Sequence, residues 1–462
     1  MGVEEFKQRR ANFAKAMPAN SIAVIPAAKE VTRSNDTEYA FCQQKNFLYL
    51  TNFNEPDALL VIIKHTEIPT EKKATKDSDF QSILFSLPKD PLHEVWHGRR
   101  VGQIKAKSDY GFNKCYTLDE ACSIIPELLS GKDHVLFPFN NDKSCESEAG
   151  ESFSEKIFSY LAQVRKTIRQ GGVVPTSLLD SNSILNELRL HKTEAEILHM
   201  KQVNLISGLA HQRAMKETSP GKFEYQIEAE LLHEFNRHGA RHAAYASIVA
   251  GGDNGNILHY TANDMRLNDG DLLLIDAGGE LDGYAADITR TFPVNGKFND
   301  EQSAIYALVL NAQNAVIEAI KPNVTFAHLT ILCNNILTKG LRELGILKGD
   351  LATLLEENAV KKYFIHGLGH WLGLDVHDVG DYQIENKQQN RPFKPGMVLT
   401  IEPGLYIPSI PDANDIEDKW RGIAIRIEDN ILVTPTGHEN LTVNTPKTID
   451  EIELLMAETQ QR

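Results

Sequence analysis

Apolar and polar positions change their period several times along the chain. Over 4–17 the apolar residues recur at helical spacing, which predicts an amphipathic helix. Short apolar runs then predict strands at Ser21–Pro26, 47–50, 58–63, 82–87 and His134–Phe137, with helical stretches between them, 152–168 among these. Such alternation predicts a mixed α/β domain. The segment Gly171-Gly172-Val173-Val174-Pro175-Thr176-Ser177 is rich in chain-breaking residues and is the expected linker, giving domains 1–175 and 176–462. Beyond it, 183–214, 223–238, 300–319 and 325–344 have helical periodicity. The runs 272–277, 284–292, 398–406 and 422–433 read as strands. The second domain is therefore expected to be α+β with a sheet.

Composition narrows the picture. A chain of 462 residues exceeds one ordinary core, and 42% hydrophobic with 24% charged residues is the balance of a soluble globular protein. The formal net charge of −15, without a dense Lys/Arg cluster, argues against a nucleic-acid partner. No run approaches the roughly 18 apolar residues of a membrane helix. The five cysteines, Cys42, Cys115, Cys122, Cys145 and Cys333, are scattered and form no C-x-x-C, which fits a reducing compartment and excludes a thiolate metal site. The start lacks a basic-then-apolar signal, and Phe6 stands where a myristoylation motif needs Ser or Thr. A cytoplasmic protein is expected.

Candidate chemistry lies in the second half. Asp276 closes the apolar run 272–277, and Asp287 follows in Tyr284-Ala285-Ala286-Asp287-Ile288-Thr289-Arg290. Asp282-Gly283 between them is a hairpin signal, which puts both aspartates on one face, opposite or one pair apart. Two carboxylates that close repel, and a shared cation removes the conflict; two exposed turn acids are the alternative. His366-Gly367-Leu368-Gly369-His370-Trp371 is followed by His377-Asp378. Gly367 replaces the glutamate of a helical zinc motif, so a loop presenting one ligating histidine and nearby proton carriers is expected. Glu402 and Glu428 are acids inside apolar strands. Alternation puts Arg426 and Glu428 on one face, and a charged outer face is the plainer reading of Glu428 alone. Together these residues suit oxygen-rich ligation of two divalent ions, most readily manganese, with cobalt or zinc as alternatives. Ions about 3.5–4 Å apart could share one hydroxide in metal-assisted hydrolysis.

At these residues the chain resembles the bacterial Xaa-Pro aminopeptidase (aminopeptidase P) family of pita-bread metallopeptidases. The matching stretches include Asn254-Gly255-Asn256-Ile257-Leu258-His259-Tyr260, Ile275-Asp276-Ala277-Gly278, Asp287-Ile288-Thr289-Arg290, 366–380, Glu402-Pro403-Gly404-Leu405-Tyr406 and Arg426-Ile427-Glu428-Asp429. The resemblance continues into the N-terminal half through Trp96-His97-Gly98-Arg99-Arg100. It implies a pita-bread catalytic domain behind an N-terminal domain for oligomerisation and substrate access. It implies Asp276, Asp287, His370, Glu402 and Glu428 as ligands of two metal ions per subunit. It implies His259, His366, His377, Glu402 and Arg426 as catalytic residues, with Glu402 handling the proton, and Tyr245, Tyr406 and Trp96 as substrate-binding. Trp96 matches a tryptophan that approaches a neighbouring subunit's site in family members, which implies a homo-oligomer, a tetramer or a dimer. The substrates implied are peptides with proline at the second position. Cys42 stands where relatives often carry arginine, and Arg391 is the arginine of the loop 381–393. An Xaa-Pro dipeptidase shares all five ligands and is the main alternative. A methionine aminopeptidase and a non-catalytic peptide-binding module on the same fold are weaker ones.

Overall fold

The short apolar runs of the N-terminal half pair into a six-stranded sheet, in the order Lys114–Thr117, Phe80–Ser86, Leu59–Lys64, Ser21–Pro26, His134–Phe137 and Ser177–Asp180. Ser21–Pro26 is buried along its whole length, which is why it reads as a continuous apolar run rather than an alternation. The computed structural model describes residues 1–65, 80–139, 152–384, 388–410 and 416–458, so Cys145 and residues 385–387 of the loop 381–393 lie outside the description. The chain divides into two compact units, Met1–Arg189 and Leu190–Arg462. That division falls beyond the segment 171–177, because Ser177–Asp180 pairs in parallel with His134–Phe137 and completes the first unit's sheet. Among the described residues no helix is long and apolar enough to cross a membrane.

Several expected elements differ. The run 47–50 is not a strand but part of the helix Lys45–Thr51, capped by Gln44, whose side chain accepts from the Phe47 amide. It is buried on several sides, so no helical period shows, and a short apolar run is ambiguous between the two states. The expected helix 183–214 is two helices, Asn182–Leu190 and Glu194–Glu217. Thr193 and Glu196 form a capping box that starts the second one.

In the second unit, antiparallel ladders share a core with helices Glu194–Glu217, Glu224–Arg237, Asp300–Glu318 and Phe326–Glu343, which is the α+β architecture expected. Three of the four strands expected here are interrupted. The run 284–292 is broken between Tyr284–Ala285 and Thr289–Pro293, 398–406 between Val398–Ile401 and Gly404–Ile407, and 422–433 between Ile423–Arg426 and Asp429–Val433. Asp287, Glu402 and Glu428 sit in these three gaps, and Asp276 is the last residue of Leu272–Asp276.

Candidate active site

Two antiparallel pairs build the site. In the first, Asp282 and Gly283 have φ of 50° and 88° and close a two-residue turn between the paired Leu281 and Tyr284. Positive φ at both central positions is what this hairpin turn requires. Asp276 pairs with Thr289 and Glu280 with Ala285, so one register runs through the gap and Asp276 and Asp287 share a face one pair apart. Gly278 is dictated by closeness, since a Cβ there would lie 1.8 Å from the Ala286 carbonyl oxygen.

The second pair matches Ile401 with Asp429 and Gly404 with Arg426. This again is one register through a gap, and it sets Glu402 directly opposite Glu428. Like charges directly opposite one another destabilise a strand pair. The Glu428 amide donates to the Thr289 carbonyl at 3.0 Å, joining the two pairs. Glu428 is 1% exposed, so the charged outer face is not found: this strand is covered on both sides.

The histidine loop runs antiparallel beside Val398–Ile401. Glu402 N donates to Leu368 O, Thr400 N to His370 O and Leu372 N to Val398 O, at 2.9–3.0 Å. Neither His366 nor His370 is helical. Gly369 permits the approach, since a Cβ would lie 1.9 Å from the Thr400 oxygen. The Nδ1 of His370 lies 2.9 Å from the Trp371 carbonyl. A carbonyl only accepts, so Nδ1 carries a proton, and Nε2 faces Asp287 Oδ2 at 3.3 Å and Glu402 Oε1 at 3.7 Å. A histidine whose other nitrogen is held by a carbonyl is the usual form of a metal ligand.

These side chains line a cavity of about 390 Å³, with Asp276, Asp287, His370, Glu402 and Glu428 together in its wall beside His259, His366, His377 and Arg426. Tyr382 also lines it. Tyr245 and Tyr406 stand behind the wall. The Tyr245 hydroxyl lies 2.6 Å from Oδ1 of both aspartates. Tyr406 accepts from Arg426 Nη1 at 2.8 Å and lies 2.8 Å from His366 Nε2. Trp96 is on the helix Pro91–His97 of the first unit, 84% exposed. Cys42 is exposed, and Arg391 donates to the Asp381 carbonyl.

Two charges about 4 Å apart, at an effective dielectric near 20, repel by about 4 kcal/mol, more than a hydrogen bond returns. The cavity's four carboxylates have a single guanidinium among them, and protons make up the difference. Burial pushes Asp287 well above the carboxylate range, and the Asp276 charge adds to it. Burial, then the Asp287 charge, does the same to Glu428. Burial raises Glu402 to about 7. Burial would raise Asp276 as well, but Arg426, donating to it at 2.7 Å, holds it below the usual value. One tyrosine O–H cannot satisfy both 2.6 Å contacts, and a protonated Asp287 supplies the second donor. Burial, then Arg426, lowers His366 to about 3, so it stays neutral. Burial also lowers His377, with the neighbouring His370 and His259 adding to it.

Donor chemistry and geometry fit divalent cations. Ligand atoms of Asp287, His370 and Glu428 lie within 4.8 Å of one another. The set is hard oxygen plus one imidazole.

Three supporting residues had no role in the sequence reading. Thr289 donates to Glu428 Oε2 at 2.8 Å and accepts from Arg426 Nε at 3.1 Å. Arg290 is fully buried and donates to Asp429, to the Glu428 carbonyl and to Pro446 O. Thr400 Oγ accepts from the His370 amide at 3.1 Å. Thr289 was findable, being two residues from Asp287 on the same strand face. These three partners of Arg290 are more than 130 residues away in sequence, and no local signal announces them.

Comparison with known proteins agrees with this geometry. Residues 198–435 match the model of metallopeptidase family M24, and residues 6–137 match the aminopeptidase P N-terminal domain. The chain is 44% identical to the Xaa-Pro aminopeptidase of Escherichia coli, over 98% of this chain and 97% of that protein. It is 33% identical to human Xaa-Pro aminopeptidase 3, over 92% and 78% respectively. Among solved structures, E. coli aminopeptidase P with the inhibitor Pro-Leu superposes with a TM-score of 0.92 at 42% identity, covering 100% of both chains. Proline aminopeptidase P II from Yersinia pestis gives 0.90 at 44% identity, covering 99% of this chain and 100% of that one. With its pita-bread domain behind an aminopeptidase P N-terminal domain, the chain belongs to metallopeptidase family M24, among the Xaa-Pro aminopeptidases.

Proposed function

We propose that this enzyme removes the first residue of a peptide whose second residue is proline, using two divalent metal ions held by Asp276, Asp287, His370, Glu402 and Glu428. The observation that carries this is the opposed pair Glu402 and Glu428 beside Asp276 and Asp287 in one cavity. Four carboxylates beside one guanidinium, Asp287 and Glu428 buried and Asp276 and Glu402 partly so, are costly unless cations occupy the space between them. Manganese is our choice for so oxygen-rich a set, before cobalt or zinc.

When bound, the ions supply Lewis acidity, which makes water acidic near neutral pH and polarises the carbonyl of residue one. The protein supplies the rest. Glu402, which lines the cavity beside His366 and His370, accepts the proton of the attacking water and returns it to the proline nitrogen as that leaves. His366 stays neutral. Its Nδ1 lies 2.7 Å from the Gly367 carbonyl and 3.6 Å from Glu402 Oε2, and Nε2 accepts from Tyr406. His259 and His377, in the cavity wall, steady the oxyanion. Arg426 ties Asp276 to Tyr406 and so holds the His366 side against the ligands. Proline has no N–H and a fixed ring, so the site must accept that ring and protonate a tertiary amide nitrogen.

The unit Met1–Arg189 serves oligomerisation and substrate access, with Trp96 reaching a neighbouring subunit's site in a cytoplasmic tetramer or dimer. The exposed Leu92, Val95 and Trp96 on Pro91–His97 support that reading. A fully active monomer in sedimentation velocity would reject it.

A substrate panel tests the activity. An Ala-Pro-Ala tripeptide is expected to lose its first residue, while Met-Ala-Ser is left intact. Cleavage confined to the dipeptide Ala-Pro would make the enzyme an Xaa-Pro dipeptidase, and cleavage of Met-Ala-Ser would make it a methionine aminopeptidase.

A further inference from the structure

We propose that Glu224 is a positioning residue for His259. The inference rests on the reading of His259 as a group that meets the substrate. His259 and Leu258 reach the cavity wall from 257–265, which forms no helix or strand, and His259 is itself exposed. Such a segment places a side chain accurately only if its backbone is fastened elsewhere. Glu224, the first residue of the helix Glu224–Arg237, is fully buried. Its Oε1 accepts from the Gly251 amide at 2.8 Å and from Asn254 Nδ2 at 3.0 Å. Its Oε2 accepts from the Tyr260 hydroxyl at 2.8 Å and from the Met265 amide at 2.9 Å.

One carboxylate thus ties the segment before His259, the residue after it and its far end to a helix N-terminus, where a negative charge is stabilised. All four donors are neutral, so the contact is lost by changing acceptor chemistry alone. Glu224→Gln keeps the shape but offers an amide N–H where two donors already point. Asn263 fastens the same segment to the strand Ile248–Gly251 by accepting from Val249 N and donating to Ser247 O. This second tie does not depend on Glu224.

The test is a double-mutant cycle on the manganese-loaded enzyme with an Xaa-Pro tripeptide. Glu224→Gln is expected to lower kcat/KM about tenfold or more, in line with loss of hydrogen bonds to a buried charge, with metal content unchanged. In the His259→Ala background the same change is expected to have no further effect, since the two act as one unit. Tyr260→Phe, which removes one donor and spares the fold, is expected to give a smaller loss that vanishes in that background too. Hydrogen exchange across 251–265 is expected to speed up in Glu224→Gln. An equal loss in both backgrounds, or no loss with His259 present, overturns the proposal. Full turnover by His259→Ala would reject the underlying reading of His259, and would be recognised from that single variant.

Discussion

At the scale of single residues, the site is a set of charges that cannot coexist without help. Replacing Asp287 with Ala removes a carboxyl that the metal-free fold must keep protonated, along with a candidate ligand. We expect the metal-free variant to melt no lower than the metal-free parent, and to lose the rise in melting temperature that metal gives the parent. An undiminished metal-induced rise would remove Asp287 from the ligand set. The protonation pattern makes a second prediction. Glu402 titrates near 7 in the folded metal-free protein, and Asp287 and Glu428 are also raised. Between the ordinary carboxylate range and those values the folded state therefore holds protons that the unfolded chain has released. The stability these three carboxyls contribute to the metal-free protein is lost as pH rises through that window, while His366, His211 and His377, held neutral, act in the opposite sense below the ordinary histidine value. Metal must displace the same protons, so its affinity rises with pH across the window. Calorimetry in buffers of different ionisation enthalpy checks this, and binding without proton release would contradict it.

At the scale of elements, the candidate ligands are where they are because strands stop. Each of the four carboxylates lies at a gap or an end in a ladder whose register continues past it. A gap frees the side chain to turn inward while the flanking pairs fix it. Gly278 keeps one such gap narrow, and with Ala a Cβ would meet the Ala286 oxygen at 1.8 Å. We expect Gly278→Ala to cost about 3 kcal/mol or more by denaturant unfolding, a loss of the size that steric conflict in a core produces, and to weaken metal binding with it. Unchanged stability would refute this account of the gap.

The same gaps explain what the sequence revealed and what it hid. Apolar runs exposed the strands at 272–277 and 398–406, and the Asp282-Gly283 turn signalled the shared face of Asp276 and Asp287. The interruption at Glu402 is not visible in the apolar pattern, because Ile401, Leu405 and Tyr406 are buried on either side of it. The two-helix form of 183–214 was legible in Thr193 and Glu196, a capping signature in mid-run. The opposition of Glu402 to Glu428, and the grip of Arg290 on Asp429, depend on pairing between segments far apart in sequence, which periodicity does not report.

At the scale of the whole molecule, a net charge of −15 sits on a protein whose candidate function needs cations at one cavity, so loading with metal is central to its behaviour. The most direct test is a mass-spectrometric time course with Arg-Pro-Pro-Gly-Phe, run with added manganese and again after chelation. The account predicts that manganese-loaded enzyme releases the first arginine, that any further trimming stops at Pro-Gly-Phe, whose second residue is not proline, and that chelation stops the reaction until metal is restored. Release at the same rate after verified metal removal, or cleavage at an internal bond, would contradict it.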